Sequence, residues 1–158
     1  EAPGATEDEM GLPFVGQSGE RLQSCLNTLD VQYFIANAVR CRPTDTSGKN
    51  RTPLPTEIDC CKPLTIKLIL SMSPKVIVTV GRIPTKQVLG INMEMEAMRG
   101  IPFFHPHFNC FVVPTYHPSF LVRMKDDMYV KQFYNDFNTA RKLLFEPPKR
   151  KIIKSPKL

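Results

Sequence analysis

The hydrophobic positions of this chain fall into short rhythmic runs separated by polar segments rich in proline and glycine. Leu22, Cys25, Leu26 and Leu29 recur at i, i+3, i+4 and i+7, which predicts a helix from Glu20 with one buried face. Tyr33 to Val39 is an aromatic and β-branched run that reads as a buried strand ending near Asn37. Arg40 to Pro55 is polar, with three prolines and the pair Ser47-Gly48, and reads as a loop. Thr56 is placed as the N-cap of a second helix, on which Ile58, Cys61, Thr65, Leu68, Ile69 and Met72 share a face before Pro74 ends it.

Lys75 to Val80 is a β-branched strand closed by Gly81, and Pro84 to Leu89 starts a short helix. Residues 91–110, rich in Met, Phe and Pro, read as irregular. Phe111-Val112-Val113-Pro114 forms a last short strand that delivers Thr115-Tyr116-His117-Pro118-Ser119 to its end. Val130, Phe133, Phe137, Ala140 and Leu144 stripe a closing helix. Beyond Pro147-Pro148 the basic tail to Leu158 has no core pattern and is expected to be a linker or a phosphate-contacting arm.

Strands alternating with helices predict a parallel sheet covered on both faces. Ligands bind such sheets at the carboxyl ends of the strands, which places Asn37, Gly81 and His117 near one rim. The opening segment from Glu1 to Gly19 holds four glycines and two prolines. It reads as a loop that brings backbone close to a ligand, lying beside that rim if a strand precedes Glu1. The expected class is α/β, a three-layer α/β/α sandwich around a short, mostly parallel four-stranded sheet.

Composition narrows the picture without changing it. The chain has 158 residues, enough for one domain, placed at residues 1–146 with 147–158 as the tail. No apolar run approaches the roughly 18 residues of a membrane span, so no membrane partner is expected. Charge is uneven: one Arg against six acids in residues 1–30 gives −5, and twenty basic residues against nine acids in residues 31–158 give +11. A basic body beside an acidic mouth suits an enzyme acting on a polyanion, and suits an ordinary solvated surface as well. Five cysteines, Cys25, Cys41, Cys60, Cys61 and Cys110, form no regular disulfide framework, so a reducing, cytoplasmic or nucleoid-associated setting is expected. Cys25 and Cys110 read as small buried hydrophobes.

An ordered set of short motifs carries a resemblance. Glu1-Ala2-Pro3-Gly4 with Glu7-Asp8, Pro13-Phe14-Val15-Gly16 with Ser18-Gly19, Asn37 before Val39-Arg40-Cys41-Arg42-Pro43, Val80-Gly81-Arg82, Arg99-Gly100, and Thr115-Tyr116-His117-Pro118-Ser119 with Arg123 run in order to about Leu144. The set resembles the family 4 uracil-DNA glycosylases, the iron-sulfur branch of their superfamily. That resemblance implies a DNA repair enzyme that flips uracil out of DNA and hydrolyses its N-glycosidic bond, leaving an abasic site. Its partner is then uracil-containing DNA, and the protein is expected to be a monomer, fused to or working with a replication or repair protein.

The residue types suit that chemistry. A flipped base needs a stacking surface and hydrogen bonds to its edge; Phe14, in a glycine-rich loop and expected to be exposed, offers the first and Asn37 the second. Ala2, Pro3 and Gly4 allow close backbone approach to the base. Cleavage leaves positive charge on the sugar and negative charge on the base. His117 is the expected donor to uracil O2, and Glu1 or Glu7 the carboxylate beside the sugar. Ser119 and Arg123 are expected at phosphates. Cys41 and Cys61 resemble two of the four thiolate ligands of the family's 4Fe-4S cluster, with Asp45 to Asn50 an insertion between them. Two other readings stand beside this one: a DNA-binding domain of a replication protein whose pocket has decayed, and a relative that captures uracil-DNA covalently through His105.

Overall fold

The computed structural model describes residues 1–147. The basic tail expected beyond Pro148 lies outside the described residues. The helices are α1 (Ala5–Met10), α2 (Gln17–Leu26), α3 (Pro55–Met72), α4 (Arg82–Leu89), α5 (Met95–Met98), α6 (Pro118–Met124) and α7 (Asp127–Phe145); the strands are β1 (Val76–Val80), β2 (Phe103–His105) and β3 (Cys110–Thr115).

Among the described residues the sheet has three strands rather than four, in the order β1-β3-β2. β1 and β3 are parallel, with Val76 opposite Phe111 and Val80 opposite Thr115. β2 runs antiparallel to β3, with His105 opposite Cys110. Successive β3 residues point to opposite faces. Val112 joins Val88, Leu89, Phe108 and Cys110, with Ile66 and Ile69 of α3 against them. Val113 joins Ala140 and Leu143 of α7. Helices α3 and α4 thus cover one face and α7 the other, with α2 and α6 packed beside α7. The three-layer arrangement is as expected.

Several local expectations are corrected. Tyr33 to Val39 is not a strand: Tyr33 and Phe34 are exposed, Phe34 at 62%. A strand exists through its pairing, and here one backbone bond ties the run down, from Val39 N–H to the Glu1 carbonyl at 2.9 Å. The opening segment is not wholly loop. Its glycines and prolines flank Ala5–Met10 instead of interrupting it, so α1 forms between Gly4 and Gly11, which closes it at φ 67°. Residues 91–110 are not irregular but hold α5 and β2, each too short to show a period.

The second helix begins at Pro55 after Leu54, not after a Thr56 cap; Glu57 accepts the Leu54 N–H at 2.7 Å and pairs with Arg51. Its expected apolar face is half-buried except at Met72, which is exposed, because α3 touches the core chiefly through Ile66 and Ile69. On α7 the buried residue near the end is Leu143, with Leu144 half-buried.

Candidate active site

Glu7 shapes the opening segment. Its Oε2 accepts the Gly4 N–H at 3.1 Å, and its Oε1 accepts Val15 N–H at 3.1 Å and Gly16 N–H at 2.8 Å. Both carboxylate oxygens are therefore spent on backbone, tying the start of α1 to the turn that carries Phe14. A Cβ at Gly4 would lie 2.7 Å from Glu7 Oε2, so a larger residue there would push the carboxylate from its place on the Gly4 N–H.

Phe14 is buried, not exposed as expected, with 9% of its surface accessible. Its backbone is left-handed at φ 56°. Gly19 explains the geometry: a Cβ there would collide with the Phe14 carbonyl, so α2 packs directly on the turn. The Phe14 ring sits in the α2/α6/α7 core with one side toward His117, the ring centroids 6.2 Å apart.

His117 follows β3 and caps α6. Its Nδ1 accepts the Ser119 N–H at 3.2 Å and has Ser119 Oγ at 2.8 Å. With Nδ1 taken as acceptor, the proton of the neutral ring belongs on Nε2. Burial pushes the imidazole pKa down to about 3, with nearby positive charge, Arg123's included, acting in the same direction. The ring is neutral at physiological pH. Ser119 therefore orients the imidazole; its hydroxyl is not free for a phosphate in this arrangement. Arg123 is exposed on the last turn of α6.

Glu1 reaches the same place. A Cβ on Gly81, which has φ 97°, would stand 2.8 Å from Glu1 Oε1, 3.1 Å from His117 Cβ and 3.4 Å from His117 Cδ2. The carboxylate and the imidazole thus both border Gly81, whose positive φ and crowded Cβ position call for glycine. Gly81 N–H donates to the Thr115 carbonyl at 2.9 Å, fixing the β1 end to the β3 end.

Asn37 is half-buried, and the two residues that follow it are pinned. Val39 N–H bonds Glu1, and Gln87 Nε2 donates to the carbonyls of Ala38 at 3.1 Å and Ile58 at 3.2 Å. Ala2, Pro3 and Gly4 are half-buried between these anchors. Glu1, Phe14, Gly81 and His117 are thus brought together, and Asn37 lies two residues before the Val39 that bonds the Glu1 backbone.

His105 is not part of this group. It pairs with Cys110 at the start of β3, the opposite end from Thr115, and is 3% exposed, stacked on Phe108 at 4.2 Å between centroids. Five residue steps of strand separate the two ends, about 17 Å at the usual rise. Burial lowers its pKa.

The sulfur atoms divide in two. Burial pushes the thiols of Cys25 and Cys110 up to about 12 and about 11, which makes them inert core groups as expected. Cys61 Sγ accepts the Arg40 N–H at 3.5 Å, which puts Cys41, the next residue, beside it at the surface. Among the described residues no three metal-ligating side chains converge. The pair supplies half of a four-thiolate set and does not complete one.

Sequence reasoning missed Asp136. It is 1% exposed, accepts a hydrogen bond from Thr115 Oγ1 at 2.7 Å and pairs with Arg99. Its signal was available: one aspartate on the apolar face of the α7 stripe, between Phe133 and Phe137. Among the described residues no helix is long and apolar enough to cross a membrane.

Residues 1–138 match the family model described as the uracil DNA glycosylase superfamily. The type-4 uracil-DNA glycosylase of Sulfurisphaera tokodaii is 34% identical, over 96% of this chain and 71% of that protein. That of Saccharolobus solfataricus is 34% identical over 94% and 70%, and that of Thermotoga maritima 31% over 91% and 74%.

Proposed function

The chain belongs to the uracil-DNA glycosylase superfamily, and from that membership we propose that it is a type-4 uracil-DNA glycosylase, a DNA repair hydrolase that takes uracil out of the stack and cleaves its N-glycosidic bond. The observation that carries the reading is the meeting of a neutral His117, the Glu1 carboxylate and the Phe14 ring at one rim of the sheet.

Cleavage places negative charge on the departing base. A neutral imidazole with its proton on Nε2 donates a hydrogen bond to uracil O2 as that charge grows, and Ser119 holds the ring in this tautomer. An imidazolium is not required, and burial disfavours it. The sugar becomes oxocarbenium-like. Glu1 is the carboxylate assigned to face it and to orient the attacking water, because Glu7 has committed its oxygens to three backbone N–H groups. Phe14 supplies the stacking face, Asn37 pairs with uracil O4 and N3–H, and the backbone of Ala2, Pro3 and Gly4 lines the base. Arg123, exposed on α6, is assigned to a phosphate beside the flipped nucleotide.

Cys41 and Cys61 are proposed as two thiolate ligands of a 4Fe-4S cluster, and no step of the excision runs through it. Free thiols fit a reducing setting such as the cytoplasm or nucleoid. The test is release of uracil from a uracil-containing oligonucleotide. His117→Ala and Asn37→Ala are each expected to slow release at least about 100-fold, the usual scale for removing a transition-state donor. An inert wild-type protein, or release untouched by both substitutions, overturns the proposal.

A further inference from the structure

Asp136 is buried beside the site yet has no part in the chemistry above. A carboxylate at 1% exposure persists only where hydrogen bonds and an opposite charge hold it. Thr115 Oγ1 donates to Oδ2 at 2.7 Å and Arg99 Nε to Oδ2 at 3.0 Å, while Arg99 Nη2 pairs with Oδ1 and also donates to the Gln132 carbonyl at 3.0 Å. The backbone closes around the same point. Gly100 N–H donates to the Pro114 carbonyl at 2.8 Å, and a Cβ on Gly100, at φ 71°, would stand 2.5 Å from Asp136 Oδ1. On the other side of Thr115, its carbonyl accepts from Gly81 N–H, and a Cβ on Gly81 would stand 3.1 Å from His117 Cβ.

One carboxylate on α7 therefore clamps the Arg99-Gly100 turn and the last residue of β3. Two residues further on stands His117. We infer that Asp136 is a positioning residue for uracil excision, fixing through Thr115 the place from which β3 presents His117 to the departing base. This rests on the reading of His117 as donor. The residue acts at a distance: it touches neither base nor sugar, and its effect passes through the Thr115 hydroxyl and the β3 backbone.

Thr115→Val removes the hydroxyl and keeps the branched shape, whereas Thr115→Ser keeps the hydroxyl and loses a buried methyl. The two variants separate positioning from packing. Uracil release is measured for both under steady-state and single-turnover conditions. Thr115→Val is expected to lower kcat on the order of tenfold with KM within about twofold, since small misplacements of a reacting group cost rate and leave binding largely intact. Thr115→Ser should stay within about twofold of wild type, and Asp136→Asn should show the same kcat-only loss as Thr115→Val. In a His117→Ala background Thr115→Val should no longer slow release, because the group it positions is gone.

A packing role predicts the reverse order, with Ser worse than Val. That order, a Thr115→Val enzyme as fast as wild type, or an equal fold-loss with and without His117 overturns the inference while leaving the functional reading intact. A wild-type protein that releases no uracil fails the functional reading and takes the inference with it.

Discussion

Replacing Glu7 by Ala takes one acceptor away from three backbone donors: Gly4 N–H at 3.1 Å, Val15 N–H at 3.1 Å and Gly16 N–H at 2.8 Å. Hydrogen bonds to a charged group are worth up to about 3 kcal/mol each, and at a half-buried site water recovers part of that, leaving about 1 kcal/mol per donor. The expected loss is about 3 kcal/mol, which for a chain of this size lowers Tm by roughly 6 to 12 °C. Glu7→Gln should be milder. Its amide oxygen can keep the Val15 and Gly16 bonds while the NH2 faces Gly4, so about 1 kcal/mol is lost.

Thermal unfolding followed by circular dichroism measures the Tm, and amide hydrogen exchange at Val15 and Gly16 reports whether the Phe14 turn has loosened. Uracil release completes the set: both substitutions should slow it, Ala more than Gln, in step with the loosening. A reactive carboxylate behaves otherwise. If Glu7→Gln abolished release with Tm and amide exchange unchanged, Glu7 would be doing chemistry and the assignment of that role to Glu1 would fail.

Three further outcomes are expected. With His117 held near 3 when folded and near 6.5 when unfolded, the unfolded chain takes up the proton first, so this group's contribution to stability is intact above about pH 6.5 and lost as pH falls toward 3. Uracil release should accordingly show no limb near pH 6.5 in the rate profile; a limb there that vanishes in His117→Ala would refute the neutral-donor argument. Gly19→Ala drives a Cβ into the Phe14 carbonyl, a backbone group that cannot step aside, and should lower stability by about 3 kcal/mol; a Tm within 2 °C of wild type, flat against roughly 2 to 4 °C per kcal/mol, would contradict the packing described. Gly81→Ala meets a left-handed φ of 97° and places its methyl against both Glu1 and His117, so release should fall more than stability does; equal activity in the two proteins would show that this close approach is not needed.

Much of the layered fold was legible because buried strands and amphipathic helices have periods. β1, β3, α4 and α7 announce themselves in β-branched runs and apolar stripes. What failed was local and short. β2 and α5 hold three and four residues, too few for any repeat, and Tyr33 to Val39 has strand composition without a paired strand along it. The motifs flagged Phe14 but not its burial, since exposure depends on where α2 packs, and that is decided by Gly19 beneath it.

By itself the sequence determined the alternation of strands and helices, the glycine at the β1 end, the histidine after β3 and the ordered motifs that mark the family. Those properties are written in nearest-neighbour spacing, which a linear string preserves. Tertiary structure alone decided the rest: that Glu7 binds backbone while Glu1 and His117 both border Gly81, that Ser119 sets the imidazole tautomer, and that Asp136 locks Arg99 and Thr115 together. Each of these depends on burial or on proximity between residues far apart in the chain, as where Glu1 and His117 both border Gly81, and the free energy of such approaches exists only once the chain has closed around them.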